Sequence, residues 1–207
     1  MTQGRTRSGI VLLVALGAVS SGCSAGGGDM TPGPTGTAYE VVPEPGRTIE
    51  VTPPASVPGL DGYRIAAITP DDSDASATLL SATRAVASAN GADLREFPVE
   101  AEGTDPVGEA LDRALGVEPD LIVGLGDGVV DVFGFESAQR LDQQFLVVGA
   151  QLAEPTGNVT AVIWDGATSR GSAEDRGQDA LEAGLASIQD GVTGVVLHLG
   201  RAAERPR

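Results

Sequence analysis

The chain has 207 residues, of which 29 are acidic and 13 basic, so its formal net charge at pH 7 is −16. The sequence therefore argues against nucleic acid as a partner, since no basic face is available to neutralise phosphates. The single cysteine excludes an internal disulfide. An acidic excess of this kind is typical of a well-solvated surface that repels anionic lipid headgroups.

The N-terminus has the pattern of an export signal. Arg5 and Arg7 provide a positive start, and residues 10–19 form an apolar run that is too short to span a bilayer core of about 30 Å. Residues 1–22 are therefore predicted to be a signal peptide. The small residues 20–22 before Cys23 resemble the bacterial lipobox, which implies lipidation of Cys23, palmitate included, at the extracytoplasmic face of the cell membrane. The alternative is an ordinary secretory signal followed by a free thiol.

Residues 23–61 are rich in Gly, Pro and Thr and are predicted to be a tether between the membrane and the folded domain. Prolines recur along this segment and interrupt both helices and sheet ladders. Within it, residues 47–52 (RTIEVT) are compatible with one short strand. A single domain is predicted over residues 62–200, followed by a tail over residues 201–207.

Six runs of apolar residues in the domain have the length and composition of buried strands. Strands that are apolar on both faces are typical of a parallel sheet covered by helices. Pro98 places the second strand at an edge of the sheet, because proline cannot donate to the ladder. The predicted strands cover residues 64–69, 94–99, 121–123, 145–148, 158–164 and 192–199.

Helices are predicted between most of these strands. Ser73 or Asp74 can cap the first of them and Gly91 can end it. In the third, the apolar residues at helical spacing are Val130, Phe133, Ala138 and Leu141. The predicted helices start near residues 73, 104, 130 and 172. The alternation of strand and helix predicts an α/β fold, a three-layer α/β/α sandwich with a mostly parallel sheet of five to six strands.

Ligands of such sheets bind beyond the carboxyl ends of the strands, which directs attention to the residues just past each strand. Trp164, the only tryptophan, is either a platform on which a ring stacks or a core residue. Asp165 and Thr168 can offer an acceptor and a donor to ligand hydroxyls. The candidate ligand-binding residues are Thr69, Asp71, Asp72, Gly126, Asp127, Gln151, Trp164, Asp165, Thr168 and Ser169.

Three other motifs are weaker candidates for function. Residues 124–128 have GxGxG spacing instead of the dinucleotide fingerprint GxGxxG, which favours a packing turn. The acids of residues 71–74 lack the lysine of a phospho-receiver site and the glycine and distal acid of a calcium loop. Ser169 and His198 keep the order of a hydrolase triad, but the turn before Ser169 is too long for a nucleophile elbow. No enzymatic activity, cofactor or metal is expected.

The order of features between residues 120 and 172 resembles the basic membrane protein family. The likeness consists of a strand ending in Gly124-x-Gly126, a helix, the strand at residues 145–148, and a loop with Pro155 that leads to Asn158. The family comprises lipid-anchored solute-binding components of ABC importers with a type I periplasmic-binding fold. The resemblance implies a small polar or nucleoside-like solute and an ABC permease as partner.

The chain also departs from that family. Residues 71–75 stand where the family carries a Ser-Phe-Asn stretch, and Gln151 follows the fourth strand in place of an acid. The resemblance covers one lobe, whereas closure on a solute needs two lobes. Weak solute binding and weak self-association of the lobe are therefore expected. The alternative is a binding-deficient envelope or interaction lipoprotein with no transport substrate.

Overall fold

The computed structural model describes residues 45–54, 57, 59–100 and 102–200. All strands in these residues run parallel and form one seven-stranded sheet in the order β1-β7-β6-β5-β4-β2-β3. The strands are β1 (Thr48–Val51), β2 (Arg64–Thr69), β3 (Asp93–Pro98), β4 (Leu121–Leu125), β5 (Gln144–Val148), β6 (Val159–Ile163) and β7 (Val196–Leu199). The helices are α1 (Asp74–Asn90), α2 (Pro106–Leu115), α3 (Val130–Ser137) and α4 (Arg170–Gln189).

Helices cover both faces of the sheet. Helices α1 and α4 pack on one face through apolar residues such as Leu79 and Leu181, which are 1% exposed. Helices α2 and α3 pack on the other face through Leu111 and Phe133. The ring of Phe133 meets that of Phe145 edge-on at a centroid distance of 5.3 Å. The predicted three-layer α/β/α sandwich is therefore confirmed.

The strand order fixes where the sheet can bind a ligand. From β2 the chain passes through α1 to the edge strand β3, and then through α2 to β4 on the opposite side of β2. The direction of winding thus reverses between β2 and β4. In doubly wound sheets the crevice at such a reversal, beyond the carboxyl ends of the two strands, is the usual ligand site.

The local signals that predicted α1 are present in the structure. Ser73 caps the helix by accepting a hydrogen bond from the backbone N–H of Ser76, and Gly91 ends it at a φ of 75°. Pro106 stands in the first turn of α2, after Asp105 as the capping residue. These capping residues were readable in the sequence because they act on neighbours in the chain.

Helix α3 is shorter than its apolar spacing predicts. It ends at Ser137, so the prediction that Ala138 and Leu141 continue its buried face is wrong. Leu141 is 67% exposed. The buried amide of Asn158 donates to the carbonyl oxygens of Ser137 and Arg140, which fixes the chain in a turn where the helix would continue.

The sheet has seven strands, more than the predicted five to six, because β1 joins it. β1 pairs with β7, and the backbone N–H of Gly46 donates to the carbonyl of Gly194 at 2.8 Å. Val57 and Leu60 are also buried against the domain. The segment predicted as a tether thus contributes a strand to the sheet and two residues to the core. The predicted signal peptide, the lipidation site Cys23 and the tail over residues 201–207 lie outside the described residues.

Within the described residues, none of the helices combines the length and the apolar character that crossing a bilayer requires.

Candidate functional site

The loops after β2, β4, β5 and β6 lie along one rim of the sheet, which we call the carboxyl edge. Seven of the predicted site residues are exposed there, whereas Gly126 is half-buried and Thr69 and Trp164 are buried. The exposed residues are Asp71, Asp72, Asp127, Gln151, Asp165, Thr168 and Ser169.

The reversal point between β2 and β4 brings together Asp71, Ser76 and Gly126. Asp71 accepts a hydrogen bond from the backbone N–H of Ser73 at 2.9 Å. Hydrogen bonds from the hydroxyls of Ser73 and Ser76 hold the pKa of the Asp71 carboxyl below its usual range. A Cβ on Gly126 would lie 4.0 Å from the Ser76 hydroxyl. An ionised carboxylate, held by its neighbours, therefore stands beside the glycine turn.

The glycines after β4 are required for packing. A Cβ on Gly128 would come within 2.7 Å of the Cβ of Pro70, so glycine permits the β2 and β4 loops to touch. A Cβ on Gly124 would clash with Val129 and Phe133. This close approach agrees with the interpretation of residues 124–128 as a packing turn.

Trp164 is a core residue and offers no stacking platform. Its side chain is 5% exposed, and its indole N–H donates to the hydroxyl of Ser172 at 2.7 Å. That hydroxyl donates in turn to the backbone carbonyl of Asp165 at 3.1 Å. A Cβ on Gly149 would lie 3.5 Å from the indole ring. Of the two interpretations of Trp164, the structure therefore agrees with the core residue. Through the hydroxyl of Ser172, the indole also helps to hold the backbone at Asp165.

Ser169 has a structural role at the start of α4. Its hydroxyl accepts from the backbone N–H of Ser172 and donates to the carbonyl of Gly166. The ring of His198 lies instead against Glu50 and Asp165. The contacts of both side chains are thus accounted for without a serine–histidine pair, the arrangement a hydrolase would need.

The carboxyl edge is strongly acidic. One of its cations in the described residues, Arg170, pairs with Asp74 at 3.0 Å and joins the start of α4 to the start of α1. The exposed carboxylates of Asp72, Asp127 and Asp165 remain as hydrogen-bond acceptors. No group of three or more metal-ligating side chains is found among the described residues.

The sequence analysis missed a second cluster at the same edge. His198 of β7 lies between Glu50 of β1 and Asp165 of the β6–α4 loop, with nitrogen–oxygen distances of 3.0 and 3.9 Å. The cluster depends on the pairing of β1 with β7, which sets Glu50 beside His198. The signal available in the sequence was the short strand at residues 47–52 together with the only histidine.

Comparison with known proteins gives structural neighbours but no family. No family model matches the sequence, and no curated protein matches it. A fragment of a candidate lipoprotein from Peptoclostridium difficile 630 is 13% identical with a TM-score of 0.46, and the match covers 62% of this chain and 96% of the fragment.

Two further neighbours are named as transport proteins. An ABC transporter system solute-binding protein from Aeropyrum pernix K1 is 14% identical with a TM-score of 0.41, over 66% of this chain and 46% of that protein. A periplasmic ribose ABC transporter protein from Conexibacter woesei DSM 14684 is 14% identical with a TM-score of 0.44, over 70% and 57%. The chain thus spans about half the length of these two proteins. Sequence identities and TM-scores this low carry no conclusion about the function of the chain.

Proposed function

We propose that the chain is a lipid-anchored, extracytoplasmic solute-binding module of the ABC-importer type, related to the basic membrane protein family. Its solute is small and polar or nucleoside-like, and it binds at the carboxyl edge. Cys23 carries the lipid, and an ABC permease is the partner that receives the solute. Under this proposal the protein binds its solute without chemical conversion.

The meeting of Asp71 and Gly126 at the reversal point between β2 and β4 is the observation that carries the proposal. Solutes of doubly wound sheets bind at this point. Asp71 is ionised there, and the exposed Asp72 and Asp127 stand in the same two loops. Carboxylates accept hydrogen bonds from hydroxyls and amines, so this rim favours solutes rich in donors.

Exposure of these acceptors limits the affinity of the site. Water competes for each carboxylate, so a hydrogen bond to the solute contributes about 1 kcal/mol net. About four to seven such bonds correspond to a dissociation constant of roughly 10 μM to 1 mM. We therefore expect weak capture by the lobe described here.

Calorimetric titration of the purified full chain with nucleosides tests this function. Replacement of Asp71 by Asn should weaken binding roughly tenfold, because the variant loses a charged acceptor of the solute. Asp142→Asn is the matched control, since it removes an exposed acid before β5, at the opposite rim of the sheet. Equal affinities for the two variants would contradict the assignment of the carboxyl edge.

A second candidate function is that of an interaction lipoprotein without a solute. Two large apolar side chains away from the carboxyl edge favour it, since Phe135 is 68% and Leu141 67% exposed. Where exposed apolar side chains form a contiguous patch, that patch is typical of contacts with another protein or of weak self-association. A flat titration for every nucleoside, with the fold intact by circular dichroism, would favour this second function.

A further inference from the structure

The histidine cluster at the carboxyl edge has a defined internal geometry. Nδ1 of His198 lies 3.0 Å and 3.1 Å from the two carboxylate oxygens of Glu50. The two residues are direct neighbours in the β1–β7 register. The ring is partly shielded, with 27% of the side chain exposed. Glu50 therefore holds the imidazole in one orientation.

Glu50 also decides which ring nitrogen carries the proton of the neutral imidazole. An ionised carboxylate only accepts hydrogen bonds, so the nitrogen that faces it has to be the donor. Nδ1 of His198 is that nitrogen. Nε2 then keeps its lone pair and is an acceptor directed toward Asp165, in the pattern by which a carboxylate fixes the tautomer of a histidine.

Two acceptors thus face each other with a gap between them. Nε2 of His198 lies 3.9 Å from Oδ1 of Asp165, which is too far for a direct hydrogen bond. Polar atoms at such a separation are commonly bridged by a third group. The Asp165 side chain is fully exposed, while its backbone carbonyl is held by Ser172. The gap is therefore open to solvent, and the backbone that carries Asp165 is held in place.

We propose that His198 is a ligand-binding residue of the carboxyl edge, and that it and Asp165 accept hydrogen bonds from two neighbouring hydroxyls of a sugar-like solute. Glu50 acts as a positioning residue that keeps Nε2 an acceptor. The inference rests on the proposed solute binding and narrows its solute to one with a vicinal diol. The two adjacent hydroxyls of a diol can each donate to one of the two acceptors, which lie 3.9 Å apart.

Nuclear magnetic resonance of the full chain, labelled with nitrogen-15 in histidine, tests the proposal. The chain has one histidine, so each imidazole signal belongs to His198. At a pH where the ring is neutral we expect the Nδ1–H tautomer, and Glu50→Gln should raise the share of the Nε2–H tautomer. A spectrum of the wild type dominated by the Nε2–H tautomer would overturn the proposal whether or not a solute binds.

Solute titrations supply the second measurement, with uridine as the probe and 2′-deoxyuridine, which lacks the diol, as its matched control. Uridine should shift the Nε2 resonance and bind roughly fivefold more tightly than the control, the effect of one hydrogen bond. His198→Phe should abolish that preference for uridine over 2′-deoxyuridine.

The outcomes separate this inference from the function on which it rests. Equal binding of both probes, detected by the indole signal of Trp164 while the Nε2 resonance stays constant, would overturn the role of His198 and leave solute binding intact. Failure of both probes to bind at millimolar concentration would overturn solute binding of this class, and with it the inference. A preference for the diol that persists in His198→Phe would also contradict the proposal.

Discussion

The buried side chain of Asn158 makes the hydrogen bonds that hold the turn after α3. Its amide nitrogen lies 2.8 Å, 2.9 Å and 3.2 Å from the carbonyl oxygens of Gln143, Arg140 and Ser137. Its own oxygen accepts from the hydroxyl of Thr156 at 2.6 Å. Asn158 therefore satisfies the carbonyls at the end of α3 and connects that turn to the start of β6.

Replacement of Asn158 by Ala should destabilise the domain by about 1–3 kcal/mol. The variant loses the hydrogen bonds that this buried amide donates to the carbonyls of Gln143, Arg140 and Ser137, each worth about 1 kcal/mol net. Chemical denaturation followed by circular dichroism measures the change. Gln139→Ala serves as the control, because this exposed side chain lies in the same turn and its loss should change the free energy of unfolding by no more than about 0.5 kcal/mol. Equal losses for both variants would refute the role of Asn158.

Helix α4 lies unusually close to the sheet because of one glycine. A Cβ on Gly184 would come within 2.6 Å of Cδ1 of Leu146 and 3.1 Å of Cγ2 of Val162. Both neighbours are fully buried, so neither has free space to move into. The contact allows α4, together with α1, to cover the centre of the sheet without a gap.

Gly184→Ala should therefore destabilise the domain by about 1–3 kcal/mol, the usual cost of overpacking a core. The same substitution at Gly171 is a matched control, because this glycine lies in the first turn of the same helix with open space around it. Gly171→Ala should stabilise the domain by about 0.5–1 kcal/mol through helix propensity. Melting temperatures of the two variants that shift in the same direction would contradict this account of α4.

At the scale of the whole molecule, the sequence predicted the features that depend on neighbours in the chain. The apolar runs and the caps of α1 are such features, and the alternation of elements gave the layers. The place of β1 in the sheet could not be predicted, because it depends on a partner 148 residues away in the pair Glu50 and His198. The direction of the Trp164 side chain depended likewise on packing against Gly149 and Ser172.

The same distinction between local and long-range features applies to the residues of the candidate site. Their position at the carboxyl edge followed from the strand ends, and Asp71, Asp72 and Asp165 are exposed there, while their role in binding stays a prediction. The histidine cluster required the register of two strands from opposite ends of the domain. Sequence reasoning therefore found the rim, whereas the individual contacts on it required the folded sheet.

Attachment to the membrane is a prediction about the whole molecule. If Cys23 is lipidated, the wild-type chain should fractionate with membranes, because more than one acyl chain gives stable attachment. Cys23→Ala should release the chain or leave it unprocessed at a higher mass. Ser24→Ala keeps the cysteine and should behave as the wild type. A wild-type chain found in the medium, with the signal removed elsewhere, would contradict lipidation at Cys23.

The pairing of β1 with β7 has a mechanical consequence for such an anchored chain. β1 begins at the amino end of the sheet and runs parallel to β7 over Thr48–Val51. A pull along the axis of β1 would load the strand from its amino end. The force would then act on the backbone hydrogen bonds between β1 and β7 in shear. In this geometry all of these bonds resist the force together, instead of breaking one after another. The pairing of β1 with β7 can therefore bear tension on the anchor, so that this tension does not reach the loops of the carboxyl edge.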